Sequence, residues 1–167
     1  MPKVYVLLLQ QDDPKKCTAA KLSKFRLAIP LHRLRQIPRQ ALILNPFADY
    51  VLLPGDRVHS IKSGLVAIDC SWERVDQALT VNLPGLGRRL PTLLAANPTN
   101  YAKPHKLSSA EALAAALYIV GFKKEAIKLL SLFKWGETFV SLNLEPLEAY
   151  SLATDREAMK IAESQFW

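Results

Sequence analysis

Asp69 stands directly after the apolar run of residues 65–68, and Trp72 follows it at the start of an expected helix. A carboxylate at the carboxyl end of a buried strand lies where open α/β sheets bind their ligands, which makes it a site candidate. The same carboxylate can instead cap the next helix. Trp72 has two readings as well, a core side chain or a shelf for a cofactor. Asn45-Pro46, Asp69-Cys70-Ser71 and Asn97-Pro98 each close an expected strand, as ligand-binding groups or as turns. The chain carries no GxxxxGK, GxSxG or HExxH motif and no clear GxGxxG after a strand, so the usual catalytic signatures are missing. Pro84-Gly85-Leu86-Gly87-Arg88-Arg89 sets glycines beside positive charge at the wrong spacing for a nucleotide fingerprint and reads as a flexible loop. Cys17 and Cys70 have neither CxxC spacing nor a histidine cluster, so no zinc site is expected; they read as buried free thiols in a reducing cytosol, or as a disulfide in a heat-adapted source.

The net charge of +7 is unevenly placed: residues 1–90 carry 14 Lys or Arg against 7 Asp or Glu, and residues 91–167 carry 8 against 8. Lys21, Lys24, Arg26, Arg33, Arg35 and Arg39 follow one another with His32 among them, and no acidic residue intervenes. An unrelieved positive stretch suits a phosphate backbone, because each phosphate neutralised releases condensed counterions. A merely soluble basic surface is the other reading. Pro30 and Pro38 break the segment and argue against one amphipathic helix lying on an anionic membrane. No apolar run approaches the ~20 residues of a membrane helix. Residues 4–9 run into Gln10, Gln11, Asp12 and Asp13 rather than a cleavage site, so a cytoplasmic chain without membrane attachment is expected.

The elements that must position these residues fall into two groups. Short apolar runs at 4–9, 41–44, 65–68 and 93–96 read as buried strands, and Asp13-Pro14 opens an expected helix through Leu22. Strands interleaved with helices imply an α/β lobe with a largely parallel sheet. Beyond Asn97 the pattern becomes helical: Ser108 or Ser109 with Glu111 caps a helix that ends at Gly121, and residues 123–133, 138–150 and 155–166 read as three more. The division expected is an α/β lobe over 1–92 and a helical lobe over 93–167. Half the residues are hydrophobic, enough for a real core.

Taken together, Asp12-Asp13-Pro14-Lys15-Lys16-Cys17-Thr18, Ile68-Asp69-Cys70-Ser71-Trp72 and the block Arg89-Leu90-Pro91-Thr92-Leu93-Leu94-Ala95-Ala96-Asn97-Pro98-Thr99-Asn100-Tyr101 resemble the small-subunit ribosomal RNA aminocarboxypropyltransferases. The likeness continues through Lys106-Leu107-Ser108-Ser109-Ala110-Glu111-Ala112 to Phe133-Lys134-Trp135-Gly136 and spans nearly the whole chain. No long acidic tail of the eukaryotic kind is present, so the archaeal type is expected.

The resemblance implies a SPOUT-like knotted α/β lobe that holds S-adenosylmethionine against the helical lobe. It also implies transfer of the 3-amino-3-carboxypropyl arm, not the methyl group, to a ring nitrogen of a uridine or pseudouridine, with methylthioadenosine released. On matching positions, Trp72 and Val75 wall off the methyl group, and Thr18 with a backbone amide near Ser109 holds the carboxylate of the arm. Adenine lies among Leu44, Pro46, Leu90, Leu107 and Ala112, with the backbone of Leu90 and His105 reading its edge. The carbonyl of Ile68 meets the ribose, and Asp69 orients or deprotonates the nucleophile. An ordinary aspartate pKa of ~3.9 favours the orienting role. The chain departs from the family pattern at Ala102, where glycine is expected, and at Thr99, where valine is.

The basic residues then hold small-subunit ribosomal RNA or a precursor particle, and the helical lobe covers the surface through which knotted methyltransferases pair, so a monomer is expected. The rival readings are a SPOUT-type methyltransferase and a non-catalytic RNA-binding assembly factor.

Overall fold

A computed structural model of the chain describes residues 1–9, 17–69 and 82–167. Its centre is a five-stranded sheet of β1 (Val4–Leu8), β2 (Ile29–Leu31), β3 (Leu42–Leu44), β4 (Leu65–Asp69) and β5 (Leu86–Arg88), in the order β2-β1-β4-β3-β5 with every neighbouring pair parallel. Parallel strands need crossover segments and cover on both faces, which is why β1, β3 and β4 read as nearly continuous apolar runs. β1 and β4 pair from Val4↔Leu65 to Leu8↔Asp69, so Asp69 lies at the carboxyl edge of the sheet. Alternation along the strands sends Val4, Val6, Leu42, Leu44, Leu65 and Ala67 into one core, and Leu7, Leu31, Ile43 and Val66 into a second on the other face. Asp69, two residues past Ala67, belongs to the first face.

Six α-helices lie among the described residues: α1 (Thr18–Lys24), α2 (Arg57–Ser63), α3 (Ser109–Ile119), α4 (Lys123–Leu130), α5 (Gly136–Ser151) and α6 (Arg156–Ser164). α3 is the hub and packs on β4, α1, α4 and α5. Its alanines let these neighbours come close, and nine of its eleven residues are buried. Ser108 and Glu111 form the capping box expected at its start, and Gly121, at φ 92°, follows its end. A Cβ at Gly136 would collide with the Leu130 carbonyl oxygen, so only glycine lets α5 begin so close to the end of α4. The larger core runs from Val4 on β1 to Ala162 on α6. Among the described residues no helix is long and apolar enough to cross a membrane.

Three expected elements are corrected. The helix placed from Asp13-Pro14 to Leu22 begins only at Thr18, because Cys17 is extended (φ −77°, ψ 116°) and serves as its N-cap; Asp13 and Pro14 themselves lie outside the described residues. The stretch read as a flexible loop, Pro84 to Arg89, contains β5, whose Leu86 and Gly87 pair with Leu42 and Ile43. Residues 93–96 form no strand, so Asn97-Pro98 does not stand at a strand end: within the stretch only Leu94 makes a β-bridge, an isolated one to Pro104. β2 went unrecognised in the sequence because it is three residues long and contains Pro30, which an edge strand tolerates.

Candidate functional site

Two helix starts converge beyond the carboxyl ends of β1 and β4. The Cys17 thiol accepts a hydrogen bond from the Ala20 amide (3.3 Å) and donates one to Asp69 Oδ2 (3.1 Å), joining the cap of α1 to the end of β4. Burial pushes the Cys17 thiol up to about 12, with the neighbouring Asp69 carboxylate adding to the rise and the Ala20 amide opposing it. The thiol therefore remains a donor throughout the physiological range. Next in the chain, Thr18 Oγ1 accepts from the Ala110 amide at 3.2 Å, one of the N–H groups that the first turn of α3 leaves without a helical partner. Asp69, Thr18 and the start of α3 at Ser109 thus meet in one place, where the α3 dipole adds positive potential.

The other expected lining residues are placed by the sheet, the loop after β5 and α3. Leu44 is buried at the end of β3 and paired with Ala67 of β4. Pro46 and Leu90 leave the sheet on adjacent strands, β3 and β5, tied by the Asn45 amide to the Arg88 carbonyl (2.9 Å). Leu90, Leu107 and Ala112 are half-buried and pack on the same core as Leu44. Thr18, Ile68 and Ser109 are also half-buried, while Pro46 and His105 are exposed. A patch of partly covered apolar side chains with a few fixed polar groups suits a small organic ligand. Trp72 and Val75, with Cys70 and Ser71, lie outside the described residues.

The segment 92–97 is largely buried without forming a strand. It is as apolar as a strand, yet its partners are helix side chains and its own return loop. Thr92 N–H donates to Glu163 (2.8 Å) and its carbonyl accepts from Tyr150 Oη (2.8 Å). Asn143 takes both Leu94 N–H (2.8 Å) and Leu94 C=O (2.9 Å), and Ala95 pairs with Lys103 and Ala102. Ala96 and Asn97 N–H both donate to Glu111. A buried segment needs such pairing for its peptide groups, and here it does not come from a sheet. The sequence does not mark Glu111, Asn143, Tyr150 and Glu163 as site residues. Their signal is a polar group within an otherwise apolar helix face, clearest for Glu111 and Asn143, both 0% exposed.

Ala102, on the return loop, holds φ 61° while its amide donates to the Ala95 carbonyl. A left-handed conformation costs an L-residue roughly 1–2 kcal/mol, part of which glycine loses again through its freer unfolded chain. Ala102→Gly is expected to stabilise the protein by about 0.5–1 kcal/mol, raising Tm by about 2–3 °C in scanning calorimetry. An unchanged or lower Tm would mean that the strain is relieved elsewhere.

Lys21, Lys24, Arg26, Arg33, Arg35 and Arg39 are all exposed. Lys21 is engaged with the helical half: its ammonium donates to the Leu132 carbonyl (3.1 Å) and lies over the Phe133 ring, which stacks on Trp135. None of the six forms an ion pair among the described residues. Exposed Phe25, Ile29 and Leu34 are interleaved with them in the chain.

Comparison with known proteins adds three findings. Residues 42–167 match the family model described as ribosome biogenesis protein, C-terminal. The chain is 45% identical over 166 residues to the 16S rRNA aminocarboxypropyltransferase of Methanosarcina mazei, covering 97% of this chain and 92% of that protein; for the one from Methanocaldococcus jannaschii the values are 44% over 165 residues, 99% and 95%. The fold superposes on the SAM-dependent rRNA:acp-transferase Tsr3 from Vulcanisaeta distributa with a TM-score of 0.87 at 40% identity, over 98% of this chain and 95% of that one.

Proposed function

The chain belongs to the family of the 16S rRNA aminocarboxypropyltransferases, and from that premise we propose that it transfers the 3-amino-3-carboxypropyl group of S-adenosylmethionine to a ring nitrogen of a uridine or pseudouridine in small-subunit ribosomal RNA. The observation that carries this reading is the meeting of Asp69, Thr18 and the α3 amide at one edge of the sheet. A hydroxyl beside a helix N-terminus suits the carboxylate of the transferred arm, and a carboxylate beside it suits the nucleophile. Likeness to transferases along the whole chain favours this reaction over methyl transfer and over a silent assembly factor.

The cofactor supplies a sulfonium whose three attached carbons are all open to displacement, so the outcome follows the carbon that faces the nucleophile in line. The chain's own residues make that choice. Trp72 and Val75 cover the methyl group, the indole face also favouring the positive sulfur. Thr18 with the α3 amides, near Ser109, turns the arm toward Asp69. Leu44, Pro46, Leu90, Leu107 and Ala112 hold adenine, and Leu90 and His105 read its edge through their backbones. Since the His105 N–H is taken by the Leu93 carbonyl (3.1 Å), His105 contributes its carbonyl. The carbonyl of Ile68 meets the ribose. Asp69 would orient the ring nitrogen, whose proton would pass to water; the bound cofactor would supply the carbon that the nitrogen attacks and the sulfur that leaves with the C–S electron pair as methylthioadenosine.

The finer architecture belongs to the same proposal: a SPOUT-like knot in an α/β lobe over 1–92, a helical lobe over 93–167 closing the site, and a cytoplasmic monomer acting on ribosomal RNA or its precursor particle through Lys21 to Arg39. Chromatography of the spent cofactor tests the reaction. Methylthioadenosine is expected; S-adenosylhomocysteine would establish methyl transfer instead.

A further inference from the structure

Glu111 has no part in the chemistry above, yet it is a fully buried acid with a dense set of partners. Its side chain is 0% exposed and accepts four N–H groups: Ala96 (2.6 Å) and Asn97 (2.9 Å) on Oε1, Ser108 (2.7 Å) and the Asn97 side-chain amide (2.7 Å) on Oε2. These donors come from both ends of the loop that carries His105 and Leu107. Asn97 extends the clamp, its Nδ2 reaching the Lys106 carbonyl (3.4 Å) and its Oδ1 accepting from Asn100 N–H (3.1 Å). Glu111 also sits one residue after Ala110, whose amide meets Thr18. A capping box needs only the Ser108 contact; the other three bonds go to the loop.

We infer that Glu111 is a positioning residue for cofactor binding, whose carboxylate locks loop 96–108 onto the first turn of α3 and so sets the adenine-reading backbone and the Thr18–Ala110 contact in one geometry. This rests on the cofactor reading given above. A carboxylate suits the task because it is acceptor-only: both oxygens face N–H donors, and an amide in its place would turn an NH2 toward at least one of them. Binding to a pre-set loop also spares the cost of ordering it.

The test uses the full chain and its Glu111→Gln variant, with S-adenosylmethionine affinity measured by calorimetry, kcat and KM on small-subunit RNA, and amide exchange followed over the loop. The variant should lose exchange protection at Ala96, Asn97 and Ser108, and its cofactor affinity should fall about tenfold or more, with kcat at saturating cofactor changed less than about threefold. RNA affinity should be unchanged. Asn97→Ala, which leaves Glu111 in place and removes one of its four donors together with the Lys106 and Asn100 contacts, should weaken the cofactor in the same sense but less, and decides the matter if Glu111→Gln does not fold. Loosened amides with wild-type cofactor affinity would overturn the inference and leave Glu111 a structural brace. Failure of the wild-type chain to bind the cofactor would instead overturn the reading on which the inference rests.

Discussion

Reversing Arg26, Arg33 and Arg35 to glutamate together should weaken binding to small-subunit ribosomal RNA by more than about 100-fold while leaving S-adenosylmethionine affinity within about twofold. The three side chains are exposed, form no ion pair among the described residues, and belong to a stretch without an acidic residue, so their field points outward. Phosphate contacts act through that charge, whereas the cofactor patch is mostly apolar. The wild-type affinity should fall steeply with salt, with a slope of roughly 0.7 to 0.9 ions per phosphate neutralised. Reversing Lys123, Lys124 and Lys128 is the control, because Lys123 is already held by Glu148 at 2.9 Å and the second half of the chain is balanced in charge. Loss of RNA binding in the control triple with retention in the first would move the docking face to the helices. Lys21 is left out of the reversal because its contacts with Leu132 and Phe133 join α1 to the helical half.

The second large effect is expected at Asp69. Asp69→Asn keeps the shape and can still accept from the Cys17 thiol, so the fold should persist. With the charge removed, the nucleophile loses its orienting partner, and a misplacement of about 1 Å costs on the order of 100-fold in rate. Steady-state kinetics should therefore show kcat falling by about that factor with cofactor affinity little changed. A variant that keeps wild-type kcat but melts earlier would make Asp69 a structural link between β4 and the cap of α1, the alternative its position at a strand end always allowed.

Much of this arrangement is legible in the residues, and the exceptions have physical causes. The buried strands β1, β3 and β4 announce themselves as apolar runs because both of their faces are covered. The cap at Ser108 and Glu111 is local chemistry and reads directly. Residues 93–96 mislead because apolar character reports burial, not the kind of partner: Leu94 is paired by an asparagine side chain 49 residues away, which no local pattern reveals. β5 hides among Gly85 and Gly87, where the close approach of Ala41 and Ile43 to Gly85 leaves no room for the side chains that mark a strand. At the site, Asp69 is marked by its place at a strand end, whereas the roles of Thr18 and Ser109 are legible only through family resemblance. Their convergence is a long-range fact of the fold, as is Glu111's hold on both ends of the loop.

The central claim is that this chain moves the carboxypropyl arm and not the methyl group, and a double-label experiment tests it most directly. Small-subunit ribosomal RNA is incubated with the protein and S-adenosylmethionine carrying one label in the methyl group and another in the carboxyl of the arm, and both are counted in the RNA. The account predicts the arm label in RNA and the methyl label wholly in released methylthioadenosine. Methyl label in RNA without the arm label would contradict it.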